Sequence, residues 1–314
     1  MRQISGWKGL SAALFAFFLA PASWTLSADQ RLLSLVPPSA QIVAGIDSPP
    51  KKDQPGSFVM ITHNNAIDLQ DFFAVTGADS SRSAGHVVFV AMDDGANHLG
   101  EHGLLASGHF DRERIYKSAL EGGAKAVDYR GLSVIELEPF TREQQEFHDR
   151  RWLAIPDSNL LLFGTIFSVH EELDRYLAHK GVDPSLEKKL SHFRHDDETW
   201  CVMIAPARNP EVRSTLQSLV PEIAELAGDG DLFQFGIRYR KQVEFEYEVT
   251  SNSAASSRTI SQSLMRSLAG PVPASMFLPE PDVIEIGHAA RGVIKIPTSR
   301  FGAWLNEVTK KQAR

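Results

Sequence analysis

The segment HLGEH at residues 98–102 combines the residue types that could most readily do chemistry. It fits a zinc-site pattern in which two histidines bind one metal ion and the glutamate acts on the metal-bound water. The two imidazole rings meet at one ion only if they lie one turn apart on a helix. Glycines crowd this segment, which connects two predicted strands, so we interpret it as a chance match in a solvated hairpin. Glu101 as a catalytic residue, with His98 and His102 as metal ligands, belongs to an alternative hypothesis, a zinc-dependent hydrolase.

The other polar clusters have simpler interpretations. Residues 192–198 (HFRHDDE) hold several potential ligands, but adjacent acids cannot all point at one ion, and a polar linker explains the composition. The segment Asp229-Gly230-Asp231 lacks the further oxygens of a calcium loop and is interpreted as a tight turn. Cys201 lies in an apolar, strand-like run and is expected to be a buried, inert thiol. The sequence contains no G-x-S-x-G, phosphate-loop, dinucleotide or C-x-x-C motif, so we predict no cofactor.

The composition is that of a globular protein. The chain has 314 residues, of which 43% are hydrophobic and 23% charged, with one cysteine and a formal charge of −7. These values exclude a disordered chain, a collagen-like repeat, a disulfide-stapled miniprotein and a polytopic membrane protein. The excess of acidic over basic residues also argues against a nucleic-acid partner.

Residues 1–28 have the layout of an export signal. Arg2 and Lys8 precede an apolar stretch from residue 10 to residue 20, which is shorter than the roughly 20 residues that span a bilayer. We expect cleavage after Ala28, with the small residues at 20–22 as an earlier alternative site. A retained signal anchor is the other possibility, because Trp24 and Leu26 extend the apolar run. Removal of this segment takes away two cations and no anion, so the charge changes from −7 to −9.

The remaining chain reads as four β-β-α pieces. Each has two short apolar strands followed by an amphipathic helix. The predicted strands cover residues 86–90 and 103–107, 152–155 and 160–163, 233–239 and 243–249, and 283–286 and 292–296. Their helices start near Asp111, at Ser168 with a capping box to Glu171, before Ile260, and at residue 298 or 299. Proline after a capping residue predicts connecting helices at 184–192 and 210–226, separated by a strand at 199–205.

The hairpin of the third piece has a predicted register. Apolar and polar residues alternate along both strands, and the apolar residues of both have odd numbers. The apolar residues therefore share one face only if the residue numbers of each cross-strand pair sum to an even number. Pairing Tyr239 with Val243 meets this condition and places Arg238 opposite Glu244 on the solvent face.

The fold predicted from these elements is α+β. Consecutive β-β-α pieces favour mostly antiparallel sheets with helices on one face. We divide the chain into a signal peptide at 1–28, an N-terminal half at 29–197 and a C-terminal half at 198–314. Before the first piece we expect a short helix at 32–36, a strand at 42–46, a loop at 48–56 and a helix at 67–75.

The segment LLSLVPPSAQIVAGID at residues 32–47 resembles the start of uncharacterised exported proteins common in acidobacteria. Residues 106–111, 161–165 and 282–305 are similar to the pattern of the same family. These are scaffold residues, and the resemblance implies no known activity.

Together these features favour an exported, non-enzymatic α+β protein, periplasmic or extracellular, that binds an envelope component or a partner protein. A carrier of a small apolar ligand in a groove between the halves is an alternative. Membrane contact is expected only if the N-terminal segment is retained as an anchor.

Overall fold

The computed structural model describes residues 29–46, 84–92, 101–138, 141–142, 145–146, 150–191, 198–205, 231–269, 283–286 and 288–301. Within these ranges the chain combines a large antiparallel sheet with a few helices, in agreement with the predicted α+β class. Residues 1–28, the predicted elements at 48–56, 67–75 and 210–226, and most of the 192–198 linker lie outside the described residues.

The described helices are α1 (Gln30–Leu35), α2 (Arg112–Glu121), α3 (Ile166–Leu177), α4 (Pro184–Leu190) and α5 (Ala254–Ala269). The strands are β1 (Ala40–Ile46), β2 (Ala84–Met92), β3 (Glu101–Gly108), β4 (Lys125–Tyr129), β5 (Leu132–Leu137), β6 (Thr141–Arg142), β7 (Gln145–Glu146), β8 (Arg151–Asp157), β9 (Leu160–Thr165), β10 (Thr199–Ala205), β11 (Asp231–Tyr239), β12 (Gln242–Thr250), β13 (Val283–Ile286) and β14 (Ala289–Pro297). Residues 298–301 are helical. The described strands and helices therefore include most of the predicted ones.

Twelve strands form one sheet in the order β13-β14-β12-β11-β10-β1-β2-β3-β9-β8-β5-β4. Every neighbouring pair is antiparallel. The two predicted halves meet where β1 pairs with β10, with Ala44 opposite Cys201. The sheet is therefore continuous from one half to the other.

The first half carries helices on both faces of the sheet, so the prediction of helices on one face is wrong there. On one face, Val43, Leu105 and Leu162 belong to a core that includes side chains of α1, α3 and α4. On the opposite face, Leu104 and Phe163 belong to a second core with side chains of α2. The physical reason is visible in β9, whose run of apolar residues does not alternate and is buried throughout, as in strands that are covered on both sides.

The β11–β12 hairpin has the predicted register, with Tyr239 opposite Val243 and Arg238 opposite Glu244. The apolar residues of these strands lie on the face that carries α5, where the Tyr247 hydroxyl donates a hydrogen bond to the Ser261 carbonyl, 3.1 Å away. The prediction that Arg238 lies on a solvent face is wrong, because its side chain is only 3% exposed. Ion pairs with two carboxylates compensate its charge and make this burial possible.

The start of α3 also differs from the prediction. The helix begins at Ile166 with Thr165 as the N-cap residue, so Ser168 lies in its first turn. The Ser168 hydroxyl bonds to the Glu172 carboxyl at 3.0 Å, and the predicted capping box with Glu171 is not formed. Ser168 is fully buried, which leaves its hydroxyl facing the core instead of the helix end.

The hairpin formed by β4 and β5 was not predicted from the sequence. Its two-residue turn consists of Arg130 and Gly131, with φ angles of 52° and 85°. Positive φ at both central positions is the geometry of a type I′ turn, for which asparagine-glycine is the usual signal. Arginine at the first position conceals that signal.

Candidate functional site

The structure describes two residues of the HLGEH segment. Glu101 and His102 are consecutive residues of β3, which pairs with β2 and β9. Successive side chains of a strand point to opposite faces, so these two cannot converge on one ion as they would on a helix. His98 lies outside the described residues. Within the described parts of the chain, no three His, Cys, Asp or Glu side chains are grouped closely enough to hold a metal ion.

Glu101 instead contributes to a polar seam between β3 and α3, which we define as Glu101, Thr165, Ser168 and Glu172. The N-cap residue Thr165 is followed by Ser168 and Glu172 of α3 at spacings of three and four, so the three side chains lie on one side of the helix. The Thr165 hydroxyl donates a hydrogen bond to the Glu101 carboxylate, and the Ser168 hydroxyl donates one to Glu172. The seam thus places two carboxyl groups between one helix and the sheet.

A glycine in the sheet makes room for the inner half of this seam. A Cβ atom at Gly103 would lie 2.0 Å from Oε1 of Glu172 and 2.4 Å from Oγ of Ser168. Gly164 is the direct partner of Gly103 on β9. The seam therefore depends on the absence of a side chain at Gly103.

The two carboxyl groups of the seam have different environments. Glu172 is 0% exposed, and its Oε2 atom has no hydrogen-bond partner. Burial raises the pKa of Glu172 to about 8, and the hydrogen bond from Ser168 opposes that shift. Glu101 is only half-buried. Glu172 thus holds a proton at neutral pH, and because it has no exposed surface, a dissolved substrate does not reach it.

The outer face of α2 is an open, shallow surface. It forms a groove of about 550 Å³ whose lining residues are Arg112, Glu113, Tyr116, Lys117, Leu120 and Glu121. Among the described large apolar side chains, Leu120 (44%) and Phe167 of α3 (49%) are exposed. Tyr116, one helical turn before Leu120, is buried in the core beneath α2, and its hydroxyl is fixed because it donates to the Ser133 carbonyl and accepts from the amide of Ile155. The groove therefore presents one exposed apolar side chain, Leu120, among four charged ones.

A charged ladder occupies the sheet face opposite α5. It is formed by Gln234 and Arg238 of β11, Glu244, Glu246 and Glu248 of β12, and Arg291 and Lys295 of β14. Arg238 lies 2.9 Å from Glu244 and 3.0 Å from Glu246, and Arg291 lies 2.7 Å from Glu248. Three cationic and three anionic side chains balance, so the ladder leaves no net charge for a ligand to neutralise.

Where the structure describes the junction between the halves, a small cavity lies beside it. Gly45 of β1 lies opposite Trp200 of β10, and a Cβ atom at Gly45 would be 2.2 Å from the indole ring. The nearby cavity, lined by Val43, Gln41 and Val202 among others, measures about 30 Å³. That is enough for a water molecule, whereas small-molecule sites usually occupy about 300–1,000 Å³.

Cys201 is buried as predicted, with 2% of its surface exposed. Burial raises the pKa of its thiol to about 12, so the reactive thiolate is scarce at neutral pH. None of the described helices is long and apolar enough to cross a membrane.

Sequence reasoning missed Glu172 and Leu120 as residues of interest. A signal for Glu172 was present, since it lies between Val169 and Leu173 on the apolar stripe of α3, where an acid is out of place. Leu120 lies one helical turn from Tyr116, a spacing typical of core positions, so its exposure is not visible in the sequence.

Comparisons with known proteins give little further information. No protein-family model and no curated protein matches the chain. Among solved structures, a double-ringed trimeric shell protein from the RMM microcompartment aligns with this chain. The alignment covers 68% of this chain and 83% of the shell protein. The identity is 16% and the TM-score is 0.14, a value that carries no argument about fold or function.

Proposed function

We propose that this is an exported binding protein that engages a partner protein of the cell envelope through the outer face of α2. The observation that carries the proposal is the exposed Leu120 in an open groove beside the fixed Tyr116 ring. The layout of residues 1–28 supports export to the periplasm or beyond.

The composition of the groove favours a protein segment as the occupant. Aromatic, arginine and apolar side chains are typical of the buried centres of protein interfaces, and Arg112 stacks over Tyr116 at 5.1 Å from the ring centroid. Its rim has two basic residues, Arg112 and Lys117, and two acidic ones, Glu113 and Glu121. A balanced rim suits an amphipathic peptide with both charges better than an anionic polymer.

The fixed tyrosine also lowers the cost of binding. Both hydrogen bonds of its hydroxyl hold the Tyr116 ring in place before a partner arrives. Because Tyr116 is also buried, the apolar side chain that a partner contacts is Leu120, and the tyrosine beneath it adds no ordering cost.

The alternatives predicted from the sequence receive less support. A carrier of a small apolar ligand needs a groove between the halves. The described residues there form a cavity of about 30 Å³, beside the hydrogen-bonded pair β1–β10. A zinc-dependent hydrolase needs Glu101 and His102 on one helix face, and both lie on β3. We retain neither as the preferred function.

A pair of substitutions tests the proposal. Leu120→Glu places a charge in the groove, and Phe167→Glu, at a side chain that is 49% exposed on α3, is the matched control. Tagged mature proteins are captured from native envelope extracts, and co-purifying proteins are quantified against the unsubstituted protein. We expect the same specific partner with the unsubstituted protein and with Phe167→Glu, and at least a tenfold loss with Leu120→Glu.

Thermal unfolding of both variants shows whether the fold is retained, since surface substitutions usually change stability by less than about 0.5 kcal/mol. Equal recovery of the partner by Leu120→Glu, or recovery of no specific partner by the unsubstituted protein, would contradict the proposal.

The arrangement of the chain as four β-β-α pieces is part of the same proposal. The strand pairs β2–β3, β8–β9, β11–β12 and β13–β14 support it, since each precedes a helical segment in the described chain. In this scheme α2 belongs to the first piece.

A further inference from the structure

The two halves of the sheet have the same strand order. Counted outward from the junction, the first half runs β1-β2-β3-β9-β8 and the second runs β10-β11-β12-β14-β13. In both halves the first three strands follow chain order, and the last two are reversed. All of these pairs are antiparallel.

Several connections between matching elements also agree, although eight residues link β2 to β3 and only two link β11 to β12. Three residues link β3 to α2, and three link β12 to α5. Two residues link β8 to β9, and two link β13 to β14. A helix follows directly after β9, and helical residues follow directly after β14. A short helix precedes the first strand of each half, α1 before β1 and α4 before β10.

The positions of the helices fit a twofold relationship between the halves. Strands β1 and β10 pair antiparallel, as a strand and its copy do about a twofold axis perpendicular to a sheet. Rotation about such an axis maps each face of the sheet onto itself, so matching helices should lie on the same face. Matching helices α2 and α5 do lie on the same face. Leu104 belongs to the core that includes α2, Tyr247 bonds to α5, and these two residues share a face across the registered strands.

We infer that the chain is an internal duplication of one α-β-β-β-α-β-β-α unit and that the β1–β10 pair is an interface between two complete units. The β4–β5 hairpin has no counterpart in the described part of the second half. It lies between α2 and β8 in the chain and extends the sheet beyond β8, so it is an insertion in the first unit.

Circular permutation of the whole mature chain tests the inference. One permutant is opened at the unit boundary, between α3 and α4, so that residues 182–314 precede residues 29–181. A Gly/Ser linker of about 30 residues, with a reach of roughly 30 Å, joins the old ends. The matched control is opened inside the first unit, at the exposed turn between Ser158 and Asn159, with the same linker.

If each unit is complete, the boundary permutant keeps the far-ultraviolet circular dichroism of the natural chain and unfolds within about 5 °C of it. The control, in which β8 and β9 are separated along the chain, unfolds at least 10 °C lower or is recovered only as aggregate. The inference is overturned if the boundary permutant does not fold, or if it is no more stable than the control.

Discussion

Glu172 offers the sharpest test of the core, because Glu172→Gln removes its charge at every pH and changes its shape very little. The carboxyl is fully buried between α3 and β3, with a hydrogen bond from Ser168 to one oxygen and none to the other. The amide can still accept the hydrogen bond from Ser168. Its new N–H groups lack partners, which adds a cost of about 1–3 kcal/mol that does not depend on pH. The informative quantity is therefore the pH dependence of stability.

The size of that dependence follows from the two pKa values. Glutamate ionises near 4.5 in the unfolded chain and at about 8 in the folded protein. Above pH 4.5 the unfolded chain releases a proton that the folded protein retains, so rising pH favours unfolding. Between pH 4.5 and pH 8 the free energy of unfolding falls by about 1.4 kcal/mol per pH unit, which is roughly 5 kcal/mol in all. At pH 7 the loss relative to pH 4.5 is roughly 3 kcal/mol. Above pH 8 Glu172 is ionised in both the folded and the unfolded chain, so its effect on the free energy of unfolding no longer changes with pH.

Urea unfolding at pH 5, 6, 7 and 8, followed by the fluorescence of the buried Trp152 and Trp200, measures this dependence. We expect the stability of Glu172→Gln relative to the unsubstituted protein to rise by several kcal/mol from pH 5 to pH 8. Glu171→Gln, at a partly exposed carboxyl on the same helix, is the control and should follow the unsubstituted protein. Parallel curves for Glu172→Gln and the unsubstituted protein would refute the assignment of a protonated acid to the core.

Three further outcomes are expected. Arg238→Ala removes the nearest cation from two half-buried carboxylates, Glu244 and Glu246, and should lower the free energy of unfolding by about 1.5–3 kcal/mol in urea titrations; a loss below about 0.5 kcal/mol would mean that the ladder contributes little. Gly45→Ala forces a methyl group against the indole of Trp200 and should cost about 1–3 kcal/mol with a change in tryptophan emission, whereas an unchanged spectrum would contradict the packing. Cys201 should resist alkylation in the native protein at pH 8 and react once urea unfolds it, and rapid native labelling would show that the thiol is accessible.

Local patterns were sufficient to predict most strands and several helix ends. Asp183 followed by a proline predicted the start of α4, where the Asp183 side chain accepts a hydrogen bond from the Ser185 amide at 2.9 Å. The register of the β11–β12 hairpin was also predictable, because alternation along a strand leaves few pairings that keep its apolar residues on one face. A helix start and a hairpin register both depend on residues that are close together in the sequence.

Long-range features were not predictable in the same way. The burial of Arg238 depends on two carboxylates from the neighbouring strand that surround it in space. The space for Glu172 depends on Gly103, which is far away in the sequence and carries no sign of that role. The exposure of Leu120 depends on which part of the α2 surface other elements cover. Helical spacing alone assigns Leu120 to the core.

Site-specific photocrosslinking at residue 120 in intact cells tests the proposed binding surface most directly. A photoreactive amino acid replaces Leu120 on α2, and a second protein carries it at the exposed Thr259 on α5 as the control. We predict one crosslinked species of defined mass from position 120 and none from position 259, with the partner identified by mass spectrometry. Absence of a crosslink at position 120, or the same products from both positions, would contradict a binding role for the outer face of α2.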